Sequence, residues 1–246
     1  MLGFRDKRLS HIFADVAVGA AEGLDSTIRA FVTFSKKGEA QMSRYTGPRV
    51  KILRRFGIAL PGLTRKTIAE GANPPGEHGA GHRRKASEYR EHLDEKQKVR
   101  LNYGLSERQF VIYMKAAISS KVDTGLRLCQ ILESRLDNVV FRAGYAPTIP
   151  AARQIVNHGH ILVNGRKVDI ASFQVRQGDV ISLRERSKKI AAIQESFATP
   201  SLARPSYLEV DAEKQTAKMI NLPAVEDVPI TDLKTNLIIE FYSRKV

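Results

Sequence analysis

Residues 157–168 run NHGHILVNGRKV, and the grammar of this stretch sets the reading of the whole chain. Asn164-Gly165 is the pair that a two-residue type I′ turn favours, because both central residues need positive φ. Ile161 and Val163 stand two apart before the turn, and Val168 and Ile170 two apart after it. That period predicts a half-buried β-hairpin. Arg166 and Lys167 leave the turn where water or a polyanion can reach them. His158 and His160 raise the alternative of a metal site, as do His78 and His82 in PPGEHGAGH. A metal needs three or four convergent ligands, and a glycine-rich loop does not fix them, so no metal and no cofactor is expected.

Working outward, TIPAARQIVNHG predicts a helix capped by Thr148, with Pro150 tolerated in its first turn and Gly159 at its end. GLRLCQILESRLDNVVFRAG predicts one helix with Leu128, Ile131, Leu132, Leu136, Val139 and Val140 as its apolar stripe, ended by Gly144. Asp137 and Asn138 within it read as residues that fix helix geometry. LSERQFVIYMKAAISSK predicts another helix, capped by Ser106, with Phe110, Tyr113 and Met114 on a core face. ASEYREHLDEKQKVRLNYG predicts a third, with Ser87 as cap, carboxylates in the early turns and Gly104 as stop. Residues 42–81 are rich in glycine and proline and weakly periodic, and GANPPGEHGAGHRRK reads as a loop that orders on a partner. Beyond the hairpin come a turn at Gln177-Gly178-Asp179 and a strand at VISL. After a break at ATPSLARPS, YLEV, AKMINL and NLIIEFY read as short strands. The fold class is therefore α+β.

Charge narrows the partners. The 246 residues carry 40 Lys+Arg against 26 Asp+Glu, a formal net charge of +14. The excess is not uniform: residues 42–133 hold 18 basic and nine acidic side chains, net +9, and residues 134–195 hold ten and five, net +5. Residues 1–41 (six and five) and 196–246 (six and seven) are nearly neutral. A balance of this kind points to nucleic acid or an anionic membrane. No run approaches the roughly 18 apolar residues of a spanning helix, so no membrane partner is expected. The single cysteine, Cys129, excludes an internal disulfide framework and fits a reducing compartment. In GLRLCQILESRL it reads as a small core residue.

RLDNVVFRAGYAPTIPAARQIVNHGHILVNGRKVDIASFQVRQGDVISL, residues 135–183, resembles the RNA-binding module named after ribosomal protein S-four: two helices on a small, bent sheet. The flanks extend the likeness. MSRYTGPRVKILRRFG at 42–57, EKQKVRLNYGLSERQF at 95–110, YLEVD at 207–211 and the ending NLIIEFYSRK are similar to the bacterial or organellar S-four family of the small ribosomal subunit. The resemblance implies three parts beyond a doubtful extension at 1–41. These are an N-terminal rRNA-binding arm and helical lobe at 42–133, the module at 134–195, and C-terminal strands at 196–246 that return to the helical lobe. It implies a structural constituent of the small subunit that binds rRNA first, nucleates assembly and, with protein S-five, contributes to accuracy. The mRNA in its path into the ribosome is a further implied partner, and the cytoplasmic ribosome the implied location.

The same resemblance assigns RNA contacts by position. Arg44, Tyr45, Arg49, Lys51, Arg54 and Arg55 fall in the arm, with Arg83 and Arg84 in the loop after it. Lys96, Gln97, Lys98, Arg100 and Arg108 fall on the basic helix and the start of the next. Arg135, Arg142, Arg153, His158, Arg166 and Lys167 are the contacts implied within the module. Elementary chemistry agrees with the residue types, since guanidinium forks grip phosphates bidentately and each neutralised phosphate releases counterions. Glu77 stands where the family often has glutamine, and as a carboxylate it is assigned no contact. Residues 1–41 have no counterpart, which leaves a genuine extension or, as the reading preferred here, a start at Met42. Pseudouridine synthases and some tRNA synthetases carry the same module beside a large catalytic domain. Here the flanks are short, and no nucleophile elbow, phosphate loop or HExxH motif is present. A free RNA chaperone, or a repressor of its own messenger, would use the same cationic surface.

Overall fold

In a computed structural model of the chain, residues 45, 47–69, 71–79, 81 and 87–243 are described. The readings for residues 1–41, Arg44, His82, Arg83 and Arg84 lie outside them.

The first helix among the described residues, α1 (Arg49–Phe56), lies inside the stretch expected to be irregular. It buries Ile52 and Leu53 and ends at Gly57, whose left-handed φ of 69° lets its N–H donate to the Leu53 carbonyl at 2.8 Å. Leu60 and Leu63, just beyond, are also buried. Four apolar residues are enough to tether this segment, although glycine and proline obscure their periodicity. Helices α2 (Glu88–Asn102) and α3 (Glu107–Ile118) follow. Their caps are as expected: Ser87 accepts from the Arg90 N–H at 3.4 Å and Ser106 from the Gln109 N–H at 3.2 Å. Phe110, Tyr113 and Met114 are buried.

The single helix expected over 125–144 is two, α4 (Thr124–Glu133) and α5 (Leu136–Arg142). The break has a cause in Arg135, which is extended and forms an isolated bridge with Gln174. The Leu136 and Asp137 N–H groups donate to the Phe173 and Ala171 carbonyls at 2.8 and 3.1 Å, and the Val175 N–H donates to the Ser134 carbonyl at 2.8 Å. A loop far along the chain thus takes the place of the intrahelical bonds, and apolar spacing alone cannot reveal it. Glu133 sits at this break with no exposure. Its carboxylate accepts from the Tyr103 hydroxyl, from Tyr207 at 2.7 Å and from the Asn138 amide at 2.8 Å, with the Arg142 Nε at 3.8 Å. Burial pushes this carboxyl above the usual range, and Arg142 and the three donors act in the opposite direction.

Helix α6 (Ile149–Asn157) starts from Thr148, which accepts from the Ala151 N–H at 3.4 Å. It ends at Gly159 with φ 70°. Strands β1 (Ile161–Val163) and β2 (Arg166–Lys167) form the expected turn with φ of 50° at Asn164 and 78° at Gly165, but the second strand is short: it ends before Val168, and Ile170 is exposed rather than half-buried. Asn164 also holds the next strand, β3 (Val180–Leu183): its Oδ1 accepts from the Val180 N–H at 2.9 Å and its Nδ2 donates to Asp179 at 2.8 Å. Helix α7 (Ala191–Ala198), for which no expectation was formed from the sequence, precedes β4 (Leu208–Asp211) and β5 (Thr216–Met219). All neighbours in the sheet are antiparallel, in the order β2-β1-β3-β5-β4. Ile161, Val163, Ile181, Leu183, Ala217 and Met219 belong to the same apolar core as α3 to α6.

The C-terminal expectation is corrected in two respects. The strands β4 and β5 continue the sheet of the hairpin through β3. The segment NLIIEFY is no strand but most of helix α8 (Thr235–Ser243), and it is α8 that returns to pack on α2 and α4. Its β-branched and aromatic composition suggests a strand, but Ile238, Phe241 and Tyr242 are buried at helical spacing. Lys96 of α2 is enclosed by this seam, 4.7 Å from the centre of the Phe241 ring and 2.8 Å from Glu107. The Tyr242 hydroxyl donates to the same Glu107 at 2.7 Å.

His92 closes the seam. Its Nδ1 is 2.6 Å from the Glu88 carbonyl oxygen and its Nε2 is 2.7 Å from the Glu240 carboxylate. A carbonyl and a carboxylate both accept, so the doubly protonated ring is the form that satisfies both contacts. The Glu240 hydrogen bond, more than any other cause, raises the His92 pKa above its ordinary 6.5. A folded pKa above the unfolded one stabilises fully below the unfolded value, and this contribution is lost as pH rises through the folded value. Thermal melts from acid to alkaline pH should show the native chain losing more melting temperature through this window than His92→Gln does. Equal pH dependence of the two would contradict the assignment. Separately, Glu133→Ala should leave two tyrosyl hydroxyls and Arg142 without their anion and cost about 3–5 kcal/mol in denaturant unfolding, as removal of one partner from a buried ionic network does. A loss within about 1 kcal/mol, the scale of a surface pair, would show that the network is not structural.

Candidate nucleic-acid interface

The cations assigned by sequence divide into those the fold consumes and those it leaves at the surface. Arg135 is buried: its Nε and Nη2 donate to Asp137 at 3.0 and 2.7 Å, and its Nη1 donates to Tyr113. Arg142 is buried beside Glu133 and donates to the Asp227 carbonyl at 3.0 Å. Lys96 is 5% exposed and paired with Glu107. These three are withdrawn from the contact set, because a buried charge needs an internal partner and has one. Arg153, at 14% side-chain exposure, is also largely committed. Its Nη2 donates to Asp137 at 2.7 Å and to the Tyr103 carbonyl at 3.2 Å, and its Nη1 donates to the Gly104 carbonyl at 2.9 Å. The last carbonyls of α2 form the negative end of a helix dipole, which suits a guanidinium. Asp137 and Asn138 have no exposure and fix geometry, as the sequence suggests.

On α1 and α2 the remaining candidates reach solvent to varying degrees. Lys51 is exposed, and Arg49 is exposed with one bond to the Leu63 carbonyl at 3.2 Å. Arg54 donates from Nε to the Asn73 carbonyl at 3.0 Å, and so ties the following loop to the helix. Arg55 pairs with Asp94 at 3.2 Å yet stays half exposed. Tyr45 is exposed, and its hydroxyl donates to the Pro48 carbonyl at 3.4 Å. Gln97 accepts from Arg100 Nε at 2.8 Å, Lys98 pairs with Glu95, and Arg108 is exposed.

The hairpin carries its cations on a two-residue turn and a paired strand. Arg166 stands opposite Val163, and Lys167 opposite Leu162. Both side chains are exposed, and among the described residues the one ion pair of Lys167 is with Asp169 at 3.8 Å. Lys167 crosses the end of α6 so closely that a Cβ on Gly159 would lie 2.2 Å from its Cε. Glycine at 159 therefore serves both the positive φ and the passage of the lysine. This approach places Lys167 beside the exposed His158. Arg184 joins the same edge, as its N–H donates to the His160 carbonyl at 3.0 Å and its Nη1 to the Gly159 carbonyl at 3.5 Å. Arg184, Arg186 and Lys189 are all exposed cations that the sequence analysis does not single out. Their signal is present in RERSKK at 184–189, a basic run directly after a strand. The contacts do not bring Arg153 to this rim, as its guanidinium points to α2 and α5.

Other chemistries have little support here. Burial pushes the Cys129 thiol up to about 12, which makes it a poor nucleophile. Among the described residues no three His, Cys, Asp or Glu side chains converge as a metal site would require. A rigid turn bearing free guanidinium, ammonium and imidazole groups can grip a chain of phosphates by hydrogen bonds and Coulomb attraction.

Comparison with known proteins agrees with this geometry. Residues 44–133 match the family model described as the ribosomal protein S4/S9 N-terminal domain, and residues 134–181 match the S4 domain. A small ribosomal subunit protein uS4 from Synechococcus sp. (strain JA-3-3Ab) is 57% identical over 210 residues, covering 83% of this chain and all of that protein. The uS4 proteins of Prochlorococcus marinus (strain MIT 9303) and Methylobacillus flagellatus are 53% and 50% identical over 208 and 206 residues, again covering 83% of this chain and the whole of each relative. With the two family models matching 44–133 and 134–181 in succession and relatives aligned along their full length, the chain belongs to the small ribosomal subunit protein uS4 family.

Proposed function

We propose that this chain is a structural, non-catalytic protein of the small ribosomal subunit that binds rRNA early, fixes a junction of rRNA helices and so nucleates assembly. The observation that carries the reading is the cationic rim of the hairpin: the fold pairs its buried cations internally and leaves Arg166, Lys167, His158 and Arg184 without carboxylate partners closer than 3.8 Å. Helices α1 and α2 and the start of α3 supply the second surface, through Arg49, Lys51, Arg55, Gln97, Lys98, Arg100 and Arg108. Arg44, Arg83 and Arg84 join it on the strength of the family resemblance, as does Tyr45. Arg54 acts by holding the loop at Asn73. In this reading residues 42–133 grip the junction and residues 134–195 a neighbouring helix. Residues 196–246 support both, through β4 and β5 on one side and α8 on the other. The resemblance further supports a contact with protein S-five that bears on accuracy, a basic surface beside the path by which mRNA enters, and residence in cytoplasmic ribosomes.

The contacts are to phosphate, so their energy is electrostatic and shared among many. Binding of small-subunit rRNA measured against salt should show the Arg166→Ala/Lys167→Ala variant with a slope reduced by about two units, about one for each phosphate released from a cation. Its melting temperature should hardly move, because exposed charges contribute about 0–1 kcal/mol. Gly165→Val should do the reverse and lower the melting temperature, since a β-branched residue is strained at φ 78°. An unchanged slope with a normal melt in the double variant would place the RNA surface away from the hairpin.

A further inference from the structure

Beside the hairpin lies a groove of about 330 Å³ between α6 and α7, of whose lining residues the proposed function uses His158 alone. Its volume is at the lower end of the clefts that hold small ligands, roughly 300–1,000 Å³. Its floor is apolar: Pro147, Ala151, Ile155 and Ile193 line it. Its rim is polar, with the Arg65 guanidinium, the Glu195 carboxylate and the imidazoles of His158 and His160 at the end of α6. Arg65 is exposed and makes no hydrogen bond or ion pair among the described residues. His160 is fixed, its Nδ1 2.9 Å from the Ser187 hydroxyl. Its pKa lies below the ordinary value, through burial first and then the charges of His158 and Arg184. Two groups at the groove can read the edge of a planar ring. Gln154 offers a side-chain amide with no bond to another described residue, and Glu195 offers an exposed carboxylate with no cation paired to it.

An apolar floor with an unpaired guanidinium and hydrogen-bonding groups at its edge is complementary to a flat heterocycle carrying a phosphate. Duplex RNA cannot enter a cleft of this size, whereas a base splayed from a bulge or loop can. Such bases are the parts of folded RNA that proteins read directly. We propose that the groove receives one unpaired rRNA nucleotide, its base on Pro147, Ala151, Ile155 and Ile193 and its phosphate held by Arg65 and His158. Glu195 repels phosphate and therefore orients the nucleotide: it accepts from an exocyclic amino group of the base while the phosphate stays at the opposite rim. The hairpin then grips the backbone that leads to this nucleotide, so the module combines continuous phosphate contacts with one base contact. This rests on the RNA-binding function proposed above.

The test uses the full chain bound to small-subunit rRNA. Ultraviolet irradiation joins bases, far more than phosphates, to the residues they touch. Mass spectrometry of the digest should find a nucleotide adduct on the peptides spanning 147–160 or 190–196. Ala192→Trp, an exposed position lining the groove, should fill it and lower rRNA affinity about tenfold, the low end of what one base contact contributes. Its salt slope should fall by no more than about one unit, the share of Arg65, because the hairpin's phosphates keep their cations. Arg65→Ala should lower the slope by about one unit. Absence of the adduct, or full affinity in a normally melting Ala192→Trp protein, would overturn the groove even where Arg166→Ala/Lys167→Ala still reduces the slope and the RNA reading stands. A slope unmoved in that double variant would instead defeat the RNA reading of this rim, and the groove with it.

Discussion

Two arginines share the carboxylate of Asp137, and most of the architecture is arranged around them. Asp137 has no exposure and lies in the first turn of α5. Arg135 reaches it from the break before α5 and also holds Tyr113 of α3. Arg153 reaches it from α6 and also holds the terminal carbonyls of α2. One carboxylate thus couples α2, α3, α5 and α6. A charge placed in a dry interior is tolerated only with full pairing and hydrogen bonding, so these four helices must keep the positions that satisfy it. Glu133, four residues earlier, does the same for α2, α5 and the start of β4 through Tyr103, Asn138 and Tyr207. The hairpin stands on α6, so its cations inherit their direction from this buried frame.

The frame explains how a strongly basic chain can fold and still present a cationic surface. Net charge is a statement about partners only after the interior has taken its share. Arg135, Arg142, Lys96 and most of Arg153 are consumed inside by Asp137, Glu133, Glu107 and backbone carbonyls. What remains outside lies on short, stiff elements: a two-residue turn, the end of a helix, the run from Arg184 to Lys189. Rigid presentation lowers the entropy cost of binding, and many weak phosphate contacts then add to strong, salt-sensitive affinity.

Much of this is legible in the sequence, and the failures are informative. Asn164-Gly165, the caps at Ser87, Ser106 and Thr148, and the glycines at 104, 144 and 159 act through local geometry, which a local reading recovers. The break at Ser134-Arg135 escapes such a reading because it is made by residues 171–175, far along the chain. Helix α8 reads as a strand because isoleucine, phenylalanine and tyrosine favour strands intrinsically, whereas here burial against α2 decides. Among the candidate contacts, residue type alone does not separate a phosphate-binding arginine from a structural one. The discriminating signal is weak but present: in RLDN an arginine stands two residues before an aspartate in an otherwise apolar stripe, the pattern of a buried pair. The exposed run at 184–189 escapes for the opposite reason, since it lies in no regular amphipathic pattern.

Arg153 decides most directly whether buried carboxylates sort the cations in this way. By residue type and family position it is an RNA contact; by geometry it is a tie between α6, α5 and the end of α2. The measurement is rRNA binding against salt for Arg153→Ala, taken with its thermal melt. The account predicts a clear fall in melting temperature, because Asp137 loses one of its two guanidinium partners, and a salt slope equal to that of the native chain at temperatures where both are folded. A normal melt with a slope reduced by about one unit would contradict it, and would mean that Arg153 leaves the frame to hold a phosphate.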